Sequence, residues 1–397
     1  MDAFTTETKW SLSDIAVTIR RSVAYTGVMS QPLLLAINAG SSSLKYAAFA
    51  AGPPVEPLVR GGVPMDAGEA AAIGHVLDDI GARIDLGLVK AVGHRFVHGG
   101  ESFVAPQIVT PDLVAALRGL IALDPTHLPA EIAVLEVCQT RLPGIPQVAC
   151  FDTAFHASLP PVARTLPVPR KYAAAGIRRY GFHGLSFAYL MEDLSRRAGP
   201  AAAHGRVVLA HIGAGVSLAA VRDGRCQDTT MGFTPTGGVM MATRSGDLDP
   251  GVLIHLMRTL GLDSDALDRL VNREAGLLGV SGTTGDVRDL LARSLGDPHA
   301  AAAIELFCYQ IRKAIGALAA VLGGLDTLVF AGGVGEHSDE VRRAVCDTLG
   351  FLGVRLDPAR NAGHADMLSP DGAAVAVWLI PTNEELMIAR EVARLVP

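Results

Sequence analysis

Short apolar runs alternate along the chain with longer segments whose apolar residues recur at helical spacing. The runs that predict buried strands cover residues 33–37, 147–151, 327–331 and 375–380. The segments that predict helices cover residues 111–122, 129–138, 301–322 and 386–395. Alternation of strands with helices is typical of the α/β class, so we predict an α/β fold.

A Gly/Ser-rich turn follows the first predicted strand. Residues 37–46 read INAGSSSLKY and lie between two apolar runs, which predicts a strand, a tight turn and a strand. The turn offers backbone N–H groups, the hydroxyls of residues 41–43 and the Lys45 ammonium at one point, and these groups are the ones that hold nucleotide phosphates. Asn38, at the end of the strand, could reach a metal-bound water. Taken alone, the segment is equally compatible with an ordinary polar hairpin tip.

A second segment repeats this layout. Residues 207–221 read VVLAHIGAGVSLAAV, and AGVSL at 214–218 is similar to AGSSSL at 39–44. The repeat predicts two phosphate-holding hairpins in duplicated domains that face a cleft. A further strand opens into a glycine turn at 332–336, GGVGE, where a nucleotide could approach the backbone closely.

Composition and charge exclude several classes of protein. The 397 residues are 49% apolar and 19% charged, which suits a globular protein of two domains joined just after the strand at 147–151. A net charge of −6 argues against nucleic acid or an anionic membrane as the main partner, and no apolar segment is long enough to span a bilayer. The five cysteines form no C-x-x-C pair, so we predict a cytoplasmic protein with reduced thiols and neither a disulfide frame nor a zinc site. Residues 1–30 have no counterpart in the two-hairpin plan, and we predict that they are functionally silent.

Charged and polar side chains stand at the ends of several predicted strands, where α/β folds usually place their chemistry. Arg95, Asp152, His183 and Arg244 all lie in such positions, in apolar or glycine-rich surroundings. Arginine binds carboxylates and phosphates in a bidentate way. Two arginines, a histidine and an aspartate beside two phosphate turns therefore favour transfer of a phosphoryl group between anions.

Each of these residues also has a purely structural interpretation. Arg95 could pair with Glu101, and Arg244 could pair with Asp247 or Asp249. The histidine could be an ordinary hydrogen-bonded core residue, and the aspartate could cap the following turn.

Nine motifs, in order between residues 33 and 397, resemble those of the acetate and propionate kinase family of the sugar-kinase/Hsp70/actin superfamily. The motifs are INAGSSSLK, GHRFVHGGE, FDTAFH, RRYGFHG, TMGFTP, TRSGDLDP, GLLGVSG, GGVGE and PTNEEL. The resemblance implies two domains, each built on a duplicated ribonuclease-H-like core, with the active site in the cleft between them, and a homodimer. The implied domains are 31–151 together with the C-terminal helix 385–397, and 152–384.

The resemblance also implies roles for individual residues. The implied catalytic residues are Asp152, His183 and Arg244. The implied acyl-substrate contacts are Arg95, Val97, Phe182 and Pro235. The implied ATP contacts are Lys45, His211, Ile212, Gly213, Ala214, Gly215, Asp286, Val287, Arg288, Gly333, Val334, Gly335, Glu336 and His337. Asn38 and Glu384 match the site for Mg²⁺ or Mn²⁺.

Some positions depart from the family pattern. The family's HLGNG turn reads HIGAG here, with Ala214 in place of an amide side chain, and its GIGEN loop ends in His337. Its GFHGTSH reads GFHGLSF, and its APLHNP reads DPTHLP, which puts Thr126 where the acyl pocket usually has leucine.

The resemblance implies ATP- and magnesium-dependent transfer of a phosphoryl group to acetate, giving acetyl phosphate and ADP by direct in-line transfer. Asp152 is expected to hold a magnesium-bound water or to position other groups, because an ionised acceptor needs no general base. One alternative is a kinase for propionate or another short-chain acid. A second alternative, from a different class, is a non-catalytic nucleotide-binding protein similar to actin or Hsp70.

Overall fold

The fold is described from a computed structural model, which covers residues 31–40, 43–65 and 68–396. Two β-sheets form its framework. The first sheet contains β1 (Leu33–Ala39), β2 (Ser43–Ala50), β3 (Val59–Pro64), β4 (Val89–Phe96), β5 (Gln107–Ile108) and β6 (Gln147–Phe151). The second sheet contains β7 (Val207–Ile212), β8 (Val216–Arg222), β9 (Arg225–Thr229), β10 (Thr327–Ala331) and β11 (Ala376–Leu379).

The two sheets share one topology. The first has the order β3-β2-β1-β4-β6 with β5 at its edge, and the second has the order β9-β8-β7-β10-β11. In each sheet the first three strands are antiparallel neighbours, and the remaining long strands run parallel to the first of them. The hairpins β1–β2 and β7–β8 therefore occupy equivalent positions, as the internal repeat predicted.

Sixteen α-helices connect and cover the sheets within the described ranges. They are α1 (Glu69–Gly81), α2 (Pro111–Gly119), α3 (Leu128–Arg141), α4 (Pro161–Arg164), α5 (Arg170–Ala173), α6 (Gly184–Ala198), α7 (Pro200–His204), α8 (Pro250–Leu260), α9 (Ser264–Arg269), α10 (Gly276–Ser281), α11 (Val287–Arg293), α12 (Pro298–Leu322), α13 (Gly332–His337), α14 (Asp339–Cys346), α15 (Pro358–Ala362) and α16 (Glu384–Leu395). No helix in this part of the chain is long and apolar enough to cross a membrane.

Two helices cross between the sheets. Helix α6 follows the first sheet in sequence but packs its apolar face on β7 and β8 of the second, whereas α16 follows the second sheet and packs on β1 and β4 of the first. Gly93 in β4 permits the close approach of α16, because a Cβ atom there would lie 2.5 Å from side-chain carbons of Ile388 and Val392. This exchange brings the N-terminal ends of α6 and α16 to the same region of the molecule.

The α/β prediction is confirmed, and the strands at 147–151 and 327–331 have the predicted bounds. One local prediction is wrong: the expected glycine turn after β10 is the short helix α13. Its first turn is stabilised because Glu336 Oε1 accepts a hydrogen bond from the Gly332 N–H at 2.9 Å. Residues 1–30, Ser41 and Ser42 lie outside the described residues, and the domain boundaries remain a prediction.

Candidate active site

Arg95 lies near the end of β4, and two neighbours hold its guanidinium. Its Nε and Nη2 donate to Asp152 Oδ2 at 3.1 and 2.7 Å, and its Nη1 donates to the Ala39 carbonyl oxygen at 3.0 Å. These bonds occupy three of the five N–H groups of an arginine, so the described residues leave two for a ligand. Burial by itself lowers the pKa of Arg95, but nearby carboxylates, Asp152 foremost, raise it above its ordinary value. A permanent cation with unused donors suits a carboxylate ligand.

Asp152 directly follows β6 and is fully buried. Its carboxylate forms an ion pair with Arg95, and its backbone carbonyl accepts a hydrogen bond from the Gly184 N–H at 2.9 Å. Burial raises the pKa of Asp152, and the Arg95 guanidinium opposes that rise. If Asp152 only capped the following turn, its carboxylate would not need to bind Arg95. The contact with Arg95 therefore supports a role for Asp152 in positioning that guanidinium.

Asn38 and Glu384 meet although they are far apart in sequence. Asn38 Nδ2 donates to Glu384 Oε2 at 2.8 Å and to Glu385 Oε1 at 2.9 Å, and Ser186 Oγ donates to Glu384 Oε1 at 2.5 Å. Burial favours protonation of Glu384, but the Arg95 guanidinium, foremost, and the hydrogen bond from the Ser186 hydroxyl hold its pKa below its ordinary value. Glu384 is therefore ionised at neutral pH.

An ionised carboxylate beside an amide fits Mg²⁺, which takes oxygen ligands and keeps several of its waters. No group of three or more His, Cys, Asp or Glu side chains in the described ranges could hold a metal by itself. A cation at Asn38 and Glu384 would therefore also need water or phosphate oxygens as ligands.

His183 and His211 stack on each other, with ring centroids 4.4 Å apart and an angle of 17° between the ring planes. His183 precedes α6 in the left-handed region, with φ 59°, and His211 lies in β7. Neither Nδ1 atom has a hydrogen-bond partner among the described residues. Burial lowers the pKa of both rings, so each is neutral at pH 7 and offers a hydrogen bond without a charge. His183 is therefore not an ordinary hydrogen-bonded core residue.

Arg244 reaches the same point from the loop between β9 and α8. Its Nη1 donates to the Pro235 carbonyl oxygen at 2.9 Å. A Cβ atom on Gly215 would lie 2.8 Å from Arg244 Nη2 and 3.2 Å from His183 Nε2, so both side chains lie directly against the second hairpin turn. Burial lowers the pKa of Arg244, but a guanidinium stays protonated at neutral pH.

The alternative ion pairs considered from the sequence are not formed. Glu101 Oε1 lies 3.2 Å from Arg178 Nη1, while Asp247 and Asp249 accept hydrogen bonds from backbone N–H groups. Within the described ranges, Arg244 has no carboxylate partner and its positive charge remains available to an anion.

The predicted acyl-pocket residues gather where the two halves of the chain meet. Val97 and Phe182 are buried in one apolar cluster with Met231 and other residues of the second half, and Pro235 is half-buried beside Arg244. The fourth position with an implied role in this pocket, Thr126, is exposed in the turn that leads into α3. The apolar wall is therefore built mainly by Val97 and Phe182.

The predicted nucleotide residues of the second half surround the turn 213–215. Gly213 N donates to Gly215 O at 2.9 Å, which closes the turn, and a Cβ atom on Gly213 would lie 3.9 Å from the Gly333 N atom of α13. The charge of Lys45 on the first hairpin contributes to lowering the pKa of His211 on the second. Lys45 is therefore within electrostatic reach of the site.

Other predicted nucleotide residues already have structural partners. The Ile212 side chain is fully buried in the core, so only its backbone could contact a ligand. Glu336 Oε1 accepts from Thr382 N as well as from its own helix, and Asp286 caps α11 and pairs with Arg288 at 2.7 Å. The remaining members differ in exposure: Val287 and Gly335 are buried, Val334 is half-buried, and Ala214, Gly333 and His337 are exposed.

Sequence reasoning missed three polar residues of the site. Ser186 and Glu385 contact the Asn38–Glu384 pair, and both stand inside motifs that had been recognised. Glu131 of α3 belongs to none of the recognised motifs. It is nevertheless buried, and its Oε2 accepts a hydrogen bond from the Val97 N–H at 3.0 Å. No local pattern distinguishes Glu131 from the solvent-facing acids of other helices.

The chain is similar in sequence and in fold to known acetate and propionate kinases. The model of the acetokinase family matches residues 63–390. An acetate kinase from Rhodopseudomonas palustris is 45% identical over 91% of this chain and 98% of its own, and a propionate kinase from Citrobacter rodentium is 42% identical over 91% and 96%. The crystal structure of Porphyromonas gingivalis acetate kinase superposes with a TM-score of 0.85 and 35% identity, covering 92% of this chain and 100% of that one. The fold is accordingly the two-domain actin-like ATPase fold. Because the family model spans most of the sequence and relatives cover nine-tenths of it, the chain belongs to the acetokinase family.

Proposed function

We propose that the protein catalyses reversible phosphoryl transfer from ATP to acetate, giving acetyl phosphate and ADP. The observation that carries this proposal is the pair of arginines from different halves of the chain. Arg95 keeps two unpartnered N–H groups within the described residues, and Arg244 there has no carboxylate partner. A hydrolase acting on water needs no carboxylate clamp, so this pair favours an anionic acceptor.

In the proposed reaction Asp152 holds Arg95 in place, and Arg95 binds the acetate carboxylate. The acetate methyl group then lies against the apolar wall of Val97 and Phe182. The carboxylate is ionised at neutral pH and attacks the γ-phosphorus without a general base. The bond from the γ-phosphorus to the bridging oxygen breaks, and ADP leaves. Arg244 and the neutral His183 hydrogen-bond the equatorial oxygens of the phosphoryl group during transfer.

The nucleotide is proposed to lie between the hairpins. Lys45, the turn 213–215 and the start of α13 would contact the phosphates, and residues 286–288 would contact the nucleoside. Glu384 and Asn38 would hold a magnesium ion through carboxylate, amide and water oxygens, and the ion would neutralise charge on the ATP oxygens.

The test is acyl phosphate formation with Mg-ATP and acetate, trapped as the hydroxamate. Arg244→Ala should lower kcat by about 10²-fold or more, the scale of losing one strong transition-state donor. Arg95→Ala should act mainly on the KM for acetate. The variant Arg83→Ala is the control, since Arg83 lies at the surface, where it pairs with Asp79. Near-normal turnover of Arg244→Ala would refute its role in binding the phosphoryl group.

Propionate is the second candidate acceptor. The propionate kinase relative, at 42% identity, is nearly as similar to this chain as the acetate kinase, at 45%. Running acetate, propionate and butyrate in parallel decides between them by kcat/KM. No product with any acid, while ATP still binds, would favour the non-catalytic alternative.

We also propose that α8 mediates a homodimer. This amphipathic helix buries none of its residues, and Val252, Ile254, Met257 and Leu260 are between 43% and 65% exposed. An unpartnered apolar face of this kind marks an association surface. Light scattering on the Met257→Glu variant should give a monomer, with Val162→Glu on a different exposed apolar residue as control; a dimeric Met257→Glu variant would exclude this face.

The predicted cytoplasmic location is supported by the five buried cysteine thiols, none of which is in a disulfide.

A further inference from the structure

Glu131 lies in the first turn of α3 and is only 2% exposed. Its Oε2 accepts a hydrogen bond from the Val97 N–H at 3.0 Å. Val97 is the first residue after β4, so this bond fixes the backbone where the strand delivers both Arg95 and the apolar pocket. A side chain from a helix thereby holds the edge of the proposed carboxylate site.

The second carboxyl oxygen of Glu131 faces Arg95. Oε1 lies 3.9 Å from Arg95 Nη1 and has no hydrogen-bond partner among the described residues. The charged groups that face Glu131 are Arg95 on β4, Asp152 after β6 and Asp124 before α3. Burial raises the pKa of Glu131 to about 8, although Arg95 and the Val97 N–H oppose the rise.

We infer that Glu131 is a positioning residue for the acyl substrate, acting through the Val97 backbone and the Arg95 guanidinium. This inference rests on the proposed function and adds a residue to the same site. In its neutral form Glu131 holds the strand end without placing another negative charge beside the bound carboxylate. When it ionises, it competes with the substrate for the positive charge of Arg95, and substrate affinity falls.

Two variants separate the hydrogen bond to the Val97 N–H from the ionisation beside Arg95. Glu131→Gln keeps an oxygen acceptor for the Val97 N–H and cannot ionise, whereas Glu131→Met keeps the volume and removes the acceptor. Glu136→Gln on the exposed side of the same helix is the matched control. KM for acetate, KM for ATP and kcat are measured from pH 6.5 to 9, with circular dichroism to verify folding.

We expect the wild-type KM for acetate to rise about tenfold above pH 8, and the KM of Glu131→Gln to stay flat. Glu131→Met should raise the KM for acetate about tenfold at pH 7 while the KM for ATP changes less than twofold. A Glu131→Gln profile that follows the wild type would overturn the role of ionisation. Equal effects of Glu131→Met on both substrates, or no effect, would overturn positioning.

If Glu131→Met fails to fold, the comparison of Glu131→Gln with the wild type still decides. Calorimetric titration of acetate into the enzyme with ADP gives the same comparison without turnover. Wild-type protein that forms no acyl phosphate would count against the proposed function. The inference about Glu131 would fail separately if acetate bound wild type and Glu131→Gln with the same pH dependence.

Discussion

Gly215 is the point where a single methyl group should disable the site. It lies in the second hairpin turn, and its φ is outside the left-handed region, so alanine fits the backbone. The added Cβ would lie 2.8 Å from Arg244 Nη2 and 3.2 Å from His183 Nε2. Ordinary contact begins at 3.4 Å, so the guanidinium must move by about 0.6 Å (3.4 − 2.8). Its Nη1 is tied to the Pro235 carbonyl at 2.9 Å, which restricts the direction of that movement.

Misplacement of a catalytic group by about 1 Å costs roughly 10²-fold in rate. We therefore expect Gly215→Ala to lower kcat by about 30- to 100-fold, or about 2–3 kcal/mol in the activation free energy. The KM for acetate should change less than threefold, because Arg95 is untouched. Hydroxamate formation measures both constants, and thermal unfolding verifies that the fold persists.

Gly316→Ala is the matched control for this experiment. Gly316 lies inside α12, and a Cβ atom there meets nothing within 4 Å. Alanine should leave kcat unchanged and stabilise the helix by up to about 1 kcal/mol. A Gly215→Ala enzyme with kcat within threefold of the wild type would refute the placement of Arg244 and His183 around the transferring group.

Three further predictions follow from buried polar contacts. Ser186→Ala removes a hydrogen bond that lowers the pKa of Glu384, so that pKa should rise. An NMR titration of the Glu384 carboxyl carbon measures the change, and the same pKa in the variant and the wild type would contradict the prediction. Arg342 is fully buried and donates to the carbonyl oxygens of Gly335 and Glu336 at 2.8 and 3.0 Å. Arg342→Met should lower the free energy of unfolding by about 3 kcal/mol, because unpaired buried carbonyls are costly. It should also raise the KM for ATP more than the KM for acetate, because both carbonyls belong to α13. The pKa of Glu131 rises from 4.5 unfolded to about 8 folded, so its contribution to stability is complete below pH 4.5 and is lost as pH rises through 8. Urea unfolding should therefore show a pH-dependent component of roughly 3–5 kcal/mol in the wild type that Glu131→Gln lacks, and parallel curves would contradict it.

The sequence predicted the features that depend on local order. Apolar runs defined β6 and β10, and the repeated turn identified the hairpins β1–β2 and β7–β8. Arg95 and Asp152 were each predicted to stand at a strand end. The structure brings them together because β4 and β6 are parallel neighbours, and the carboxyl ends of parallel strands share one edge of a sheet.

The remaining features depend on packing that no local pattern encodes. Asn38 and Glu384 were paired only through the family resemblance, since the crossing of α16 to the first sheet is a tertiary event. The α13 helix replaces a predicted turn, and the Glu336 side chain four residues later accepts a hydrogen bond from the Gly332 N–H. Glu131 sits in a helix first turn, where acids are ordinary, and only the folded structure reveals that its side chain is buried.

The crossing of α16 also dictates the order in which this protein can become active during synthesis. Leu386 and Ile388 cover Leu34 and Ala36 of β1, so one face of the first sheet stays uncovered on the ribosome until residues 384–395 have been made. Glu384 arrives with the same helix and completes the contacts with Asn38 and Ser186. The proposed site therefore cannot be complete before α16 has been synthesised, and a nascent chain that stops short of α16 leaves part of an apolar sheet face uncovered.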